Sequence, residues 1–162
     1  MAAAEVKEKH DIGRMLKASD YVHLHNHTHH SLLDGLTKIP DLVNRVKEMG
    51  MEACAITDHG TLSGAIEFYK EAKKAGIKPI IGLEVFIEGF TLIYDYSLVL
   101  LAKNKNGYRN LSKLSSKSYS RFQRGRNKIK YGDLLEYSED LYILSGGINS
   151  EIIAQITQRN YS

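Results

Sequence analysis

The stretch "ACAITDHGTLSGAIEFYKEAKKAGIKPIIGLEVFI", Ala53–Ile87, decides the fold. It opens with "ACAIT" (Ala53–Thr57), a short apolar run that reads as a buried strand. "TLSGAIEFYKEAKKAG" then puts Leu62, Ala65, Ile66, Tyr69 and Ala72 on one helical face, with Gly76 as the stop. "KPIIGLEVFI" (Lys78–Ile87) returns to strand composition. Strand, helix and strand in succession form a βαβ unit, and such units argue for parallel strands covered by helices.

The same alternation continues on both sides. Upstream, "YVHLH" (Tyr21–His25) reads as a strand. In "KIPDLVNRVKEMG" Ile39, Leu42, Val43, Val46 and Met49 repeat at helical spacing, with Pro40 suited to a first turn and Gly50 to a cap. Downstream, "SLVLLA" (Ser97–Ala102) is a fourth strand, and "NGYRNLSKLSSKSY" a helix through Tyr108, Leu111 and Leu114. "RFQRGRNKIK" reads as a basic loop, "YGDLLEY" as a helical turn, "LYILSG" (Leu141–Gly146) as a fifth strand and "SEIIAQITQ" as a last helix. The order predicts an α/β fold with mostly parallel strands and outer helices. "FIEGFTLIYDYSLVLL" also permits a hairpin from Val85 to Leu101.

With 162 residues, 43% hydrophobic and 25% charged, the chain fits one globular domain, 20–162, behind a polar N-terminal extension, 1–19. No apolar run approaches the roughly 20 residues that span a bilayer. A single cysteine, Cys54, forbids an intrachain disulfide and sits in an apolar run, so a buried inert thiol and a reducing, cytoplasmic setting are expected. Charge is unevenly placed. Ten of the 22 Lys and Arg, and none of the 19 Asp and Glu, fall between Leu101 and Lys130. Such a block suits a polyanion such as DNA, through Lys103, Lys105, Arg109, Lys113, Arg121, Arg124 and Arg126, or else is a solvated basic face.

Chemistry concentrates near the ends of the first three strands. Five of seven histidines lie in "HLHNHTHHSLLDG" (His23–Gly35). His25 and His27 are two apart, so an extended backbone points both rings to one face, and His23 would join them in a regular strand. Asp34 follows in a turn-like segment that could fold back over the same end. "TDHG" places Asp58 and His59 just past the second strand, and "GLEV" places Glu84 late in the third. In parallel α/β folds those ends share one face, where sites are built. Imidazole and carboxylate together suit zinc, manganese or iron, and a site of two or more metals bridged by Glu84, with a metal-bound water as nucleophile. Singly, each feature has a plain alternative: a polar histidine loop, an Asx-type turn, an ordinary strand carboxylate.

Together, "YVHLHNHTHHSLLDGLTKIPDLV", "AITDHGTLSGAIEFYKEAKKAGIKPIIGLEVFI" and "LVLLAKNKNGYRNL" resemble the PHP (polymerase and histidinol phosphatase) domain, in the form that begins bacterial DNA polymerase III alpha subunits. The resemblance runs from about Tyr21 to about Gln158. It implies a distorted (β/α)7 barrel, here incomplete, with a metal cluster at the strand ends. His25, His27 and Asp34 would be ligands of the first motif, His59 of the second and Glu84 of the third, with Asp58 a close neighbour. It implies a metal-dependent phosphoesterase, in some polymerase-attached members a 3′–5′ exonuclease and in others a scaffold without activity. The implied partners are nucleic acid and the rest of a polymerase subunit, or another protein covering the open barrel edge.

Four departures stand out, one of them that "EGFTLIYDY" is shorter than the family's usual connection between the third strand and "LVLLA". Ser97 occupies the place of a family histidine, and Gly147 the place of a family cysteine. The closing strands and an Asp-x-His-type motif are expected beyond Ser162. Two functions therefore compete: a metal-dependent phosphoesterase or exonuclease, and a non-catalytic structural or partner-binding module. Another His-x-His metallohydrolase barrel, such as an amidohydrolase, is a third reading, against which "TDHG" and "GLEV" at these spacings favour PHP.

Overall fold

The computed structural model describes residues 17–88, 95–121, 127–147 and 150–157. Residues 1–16 of the polar extension, and Arg124 and Arg126, lie outside them. The described chain is a mixed α/β fold. In order it forms α1 (Ile39–Glu48), β1 (Ala53–Ile56), α2 (Ala65–Ala75), β2 (Lys78–Glu88), β3 (Asp95–Ala102), α3 (Lys105–Ser120), β4 (Lys128–Ile129), α4 (Tyr131–Glu136), β5 (Leu141–Leu144) and α5 (Glu151–Thr157).

β2 is the central strand. β1 pairs with it in parallel from Ala53↔Lys78 to Ile56↔Ile81. Farther along the chain, β4 pairs in parallel with Phe86 and Ile87. On the other edge β3 runs antiparallel from Gly82↔Leu101 to Glu88↔Asp95, and β5 runs antiparallel to β3. The expectation of mostly parallel strands therefore needs correction, and the hairpin reading of Val85–Leu101 holds. The connection from Glu88 to Asp95 is too short for a parallel crossover, which takes roughly a dozen residues or more.

The expected first strand is also different. Only His23 makes a bridge, to Cys54. Backbone bonds still run from Ala55 N–H to His23 O (2.8 Å) and from Thr57 N–H to Asn26 O (2.9 Å), and the Asn26 side-chain amide adds bonds to the carbonyls of His23 (3.3 Å) and Ala55 (3.0 Å). The basic segment after α3 holds a strand the sequence reading missed, because Ile129 is fully buried and draws β4 onto β2.

Two cores lie on the helix-covered face. Leu83, Val85, Ile87 and Leu100 pack against Leu111 and Leu114 of α3. Cys54 and Ile56 pack against Ile39, Val43 and Val46 of α1 and Phe68 and Ala72 of α2. The buried face of α2 is Ala65, Phe68 and Ala72; Ile66 and Tyr69, expected inside, are about half exposed. Phe68, fully buried, is the large side chain that α2 gives to this core. Met49 likewise faces out of α1. Ala55, Val99 and Leu101 line the opposite face of the sheet, the one that carries Glu84.

Burial pushes the Cys54 thiol up to about 11. A disulfide-exchange reagent at pH 8 should leave the folded chain unmodified and titrate one thiol once guanidinium unfolds it. A raised thiol also means that Cys54 lowers stability only as pH climbs from about 9 toward about 11.

Candidate metal centre

The floor of the site is Glu84, whose side chain is 6% exposed. The backbone fixes it from one side: His59 bridges it in parallel, Gly60 N–H donates to its carbonyl (2.7 Å), and its own N–H donates to Asp58 O (3.1 Å). His25 Nε2 and His27 Nε2 lie 2.6 and 2.5 Å from the same oxygen, Glu84 Oε2. The i, i+2 relation thus brings both rings to one point without a regular strand. His23 does not join them; its ring packs edge-on against Tyr21.

Asp34 closes the other side. Its Oδ2 lies 2.8 Å from His27 Nδ1 and 2.9 Å from His59 Nε2. The chain folds back to put it there: Asp34 and Gly35 N–H both donate to Ser31 O. Gly35 is required by contact, since a Cβ would stand 2.0 Å from the Thr28 carbonyl oxygen. The His59 ring stacks on Phe86 with centroids 5.7 Å apart and ring planes nearly parallel.

Asp58 plays a different part from the five donors. It is 1% exposed, and its carboxylate accepts from Thr28 N–H (2.6 Å), Thr28 Oγ1 (2.8 Å) and Ser31 Oγ (2.7 Å). Ser31 Oγ in turn accepts from His59 N–H (3.1 Å). This buried network ties the turn that carries His27 to the end of β1. Thr28 and Ser31 were not legible in the sequence, where they are two hydroxyls in a polar loop.

The donor set suits a cation. His25, His27 and Glu84 form one group with ligand atoms within 4.8 Å of one another, and His27, Asp34 and His59 a second that shares His27. His59 Nδ1 is buried without a hydrogen-bond partner and lies 3.8 Å from Glu84 Oε2. A ring nitrogen facing a carboxylate oxygen at this spacing is a donor pair that a cation could share. His25 and Asp34 are 41% and 50% exposed, so the bowl opens to solvent on their side.

Of the expected basic residues, those described make the following contacts. Lys103 and Lys105 stand beside Pro79 at the start of β2, with Lys103 over the Tyr142 ring, so they lie at the far end of that strand from Glu84. Arg121 and Lys117 pair with Asp133, and Lys113 lies over Tyr137. Among the described residues, Lys105 and Arg109 make no ion pair.

Ser97 is on the Glu84 face of β3, but its hydroxyl donates to Gly146 O (3.1 Å).

Hydrogen bonding to Glu84 raises His27 against the opposing effect of burial, helped by the charges of Glu84, Asp34 and Asp58. Burial pushes the Glu84 carboxyl up, but the bonds from His27 and His25 and the charge of His59 outweigh it and bring it to about 2. In the metal-free chain, Glu84's contribution is complete above about pH 4.3 and fades toward about 2. His27's is complete below about pH 6.5 and fades as pH rises through its raised value. Urea unfolding in chelator should therefore show a stability maximum between these limits, and His27→Gln should remove the alkaline decline. Asp58→Ala leaves three buried donors without their acceptor and should cost about 3 kcal/mol in the same assay; Thr28→Val should cost about 1 kcal/mol.

Relatives share this stretch. The chain is 47% identical over 143 residues to the DNA polymerase III subunit alpha of Borreliella burgdorferi, covering 83% of this chain and 12% of that protein. It is 41% identical over 150 residues to that of Helicobacter pylori strain 26695 (86% and 12%), and 43% identical over 150 residues to that of Thermus aquaticus (85% and 12%). The chain thus spans about 12% of the length of these relatives. An amidohydrolase structure from Chromobacterium violaceum shares the fold, with TM-score 0.50 and 21% identity over 61% of this chain and 33% of that one. The PHP domain model matches residues 23–162, a span that holds every donor of the bowl, and the chain belongs to the PHP domain family.

Proposed function

We propose that this chain is the PHP domain of a DNA polymerase III alpha-type replication protein, working in the bacterial cytoplasm, and that it hydrolyses phosphoesters with divalent cations, zinc or manganese. In this reading residues 20–162 are part of a distorted (β/α)7 barrel behind the polar 1–19 extension, and the substrate is a nucleic-acid strand end, cut as a 3′–5′ exonuclease. The observation that carries it is the meeting of His25, His27, Asp34, His59 and Glu84 in one solvent-open bowl, with His59 Nδ1 buried and making no hydrogen bond.

His25, His27 and Glu84 would hold one cation and His27, Asp34 and His59 would serve a second position. When bound, such cations neutralise charge on a phosphoryl oxygen and make a water acidic enough to attack at neutral pH. The chain's own residues do the positioning. Glu84 anchors the floor, Asp58 with Thr28 and Ser31 holds His27 and His59 in place, and the exposed rim at Asp34 and His25 admits the phosphate.

A non-catalytic module bound to the rest of a polymerase subunit is the second reading. It is favoured by Ser97, whose hydroxyl turns to Gly146 O and supplies no imidazole to the bowl, and by Gly147, which has no side chain to offer.

Metal analysis after dialysis, paired with hydrolysis of bis(p-nitrophenyl) phosphate and shortening of a 3′-labelled single strand, separates the two. Catalysis predicts tightly held metal, chelator-sensitive hydrolysis and at least about a 100-fold loss in His27→Ala. Metal without hydrolysis would assign the module reading, and a chain that holds no metal would sink the cation site itself.

A further inference from the structure

Two of the histidines outside the bowl have a place of their own. His29 and His30 follow His27 after Thr28, but their rings pair with each other and not with His27. They lie 4.3 Å from each other, while the His27 ring neighbours those of His25 and His59. Across from them stands Glu67 in the first turn of α2, with its Oε2 3.7 Å from His30 Nε2. Ligand atoms of His29, His30 and Glu67 all lie within 4.8 Å of one another.

We propose that His29, His30 and Glu67 form a second divalent-cation site, independent of the bowl, which clamps the histidine turn to helix α2.

Four observations support it. His30 Nε2 is buried and has no hydrogen-bond partner, a state that costs free energy unless something binds it. The backbone under both histidines is already fixed: His29 N–H donates to Thr37 O (3.0 Å) and His30 N–H to Thr28 Oγ1 (3.2 Å). A metal therefore needs to order little beyond side chains. Room for the His30 ring is made by Gly64, where a Cβ would stand 2.7 Å from His30 Cδ2. Finally, two imidazoles and one carboxylate are the ligand set of many zinc sites that keep a fourth position for water.

The geometry is close to what a zinc needs. Ligand atoms around a tetrahedral zinc, at about 2.1 Å each, stand about 3.4 Å apart. The His30–Glu67 pair is near that spacing already, and Glu67, 47% exposed, can move to complete it. A borderline cation such as zinc fits this mix better than magnesium or calcium, which favour all-oxygen shells. The consequence is mechanical. Thr28 and Ser31, on either side of the pair, are the residues that Asp58 holds, so a cation here would fasten the same turn from its outer side.

The test uses the 162-residue chain and zinc alone. In His25→Ala/His59→Ala, which disables the bowl and leaves the turn's own residues intact, equilibrium dialysis should still find one zinc per chain. Glu67→Gln and, separately, His30→Gln in that background should weaken it at least about tenfold. Cobalt substituted for the zinc should give the visible bands of a four-coordinate site, lost with Glu67→Gln. Should the bowl variant fail to fold, Glu67→Gln in the otherwise natural chain must release one zinc equivalent. No zinc in the bowl variant, or zinc that ignores Glu67→Gln and His30→Gln, would overturn the proposal. Failure of the bowl looks different: the natural chain would then hold only the zinc that Glu67→Gln removes.

Discussion

The Asp58 carboxylate is the constraint on which the site depends. It is buried at the end of β1 and accepts three hydrogen bonds, all from Thr28 and Ser31. A buried carboxylate is tolerated only with such partners, so the turn must come to it. Once Thr28 and Ser31 are fixed, His27 between the bowl and the turn has one direction left, and Ser31 passes the constraint to His59. Two ligand candidates far apart in sequence are thus placed by one buried carboxylate that lies beside them.

The central strand sets Glu84. Along one edge of β2 come β1, then His59, then β4; along the other runs β3 without interruption. Glu84 is paired on both sides, to His59 and to Val99. That double pairing fixes which face its side chain takes, since a slip by one residue would send it into the helix-covered core. The reversal of β3 has a further effect. It places the start of that strand, and with it Ser97, at the same end of the sheet as the bowl, where a fully parallel strand would have presented its other end.

The elements were legible in sequence where periodicity and stops agreed. The strand at Ala53–Ile56, the long strand from Lys78 and the helix carrying Leu111 and Leu114 fall where the pattern puts them. Pattern failed where one residue overrode it. α2 buries Phe68 in place of Ile66 and Tyr69, and Ile129 made a strand out of a basic loop. The five donors of the bowl could be named because histidine and carboxylate advertise their chemistry. Thr28, Ser31 and Phe86 could not, because hydroxyls in a polar loop and a strand aromatic carry no such mark. The basic block was legible as charge but not as shape: Lys103 and Lys105 went to the far end of β2, and Lys117 and Arg121 to Asp133.

Asn26 has a consequence for assembly. Its side-chain amide reaches the carbonyls of both His23 and Ala55, while its backbone N–H and carbonyl bond with Thr57 Oγ1. A regular strand in this position would have many nearly equivalent alignments beside β1. A shift by one residue would present Leu24 and Asn26 to Glu84 in place of His25 and His27, and the bowl would lose two of its five donors. Because the amide matches only one alignment, Asn26 works as a proofreading contact, and the irregularity of the first segment is what makes its register unambiguous.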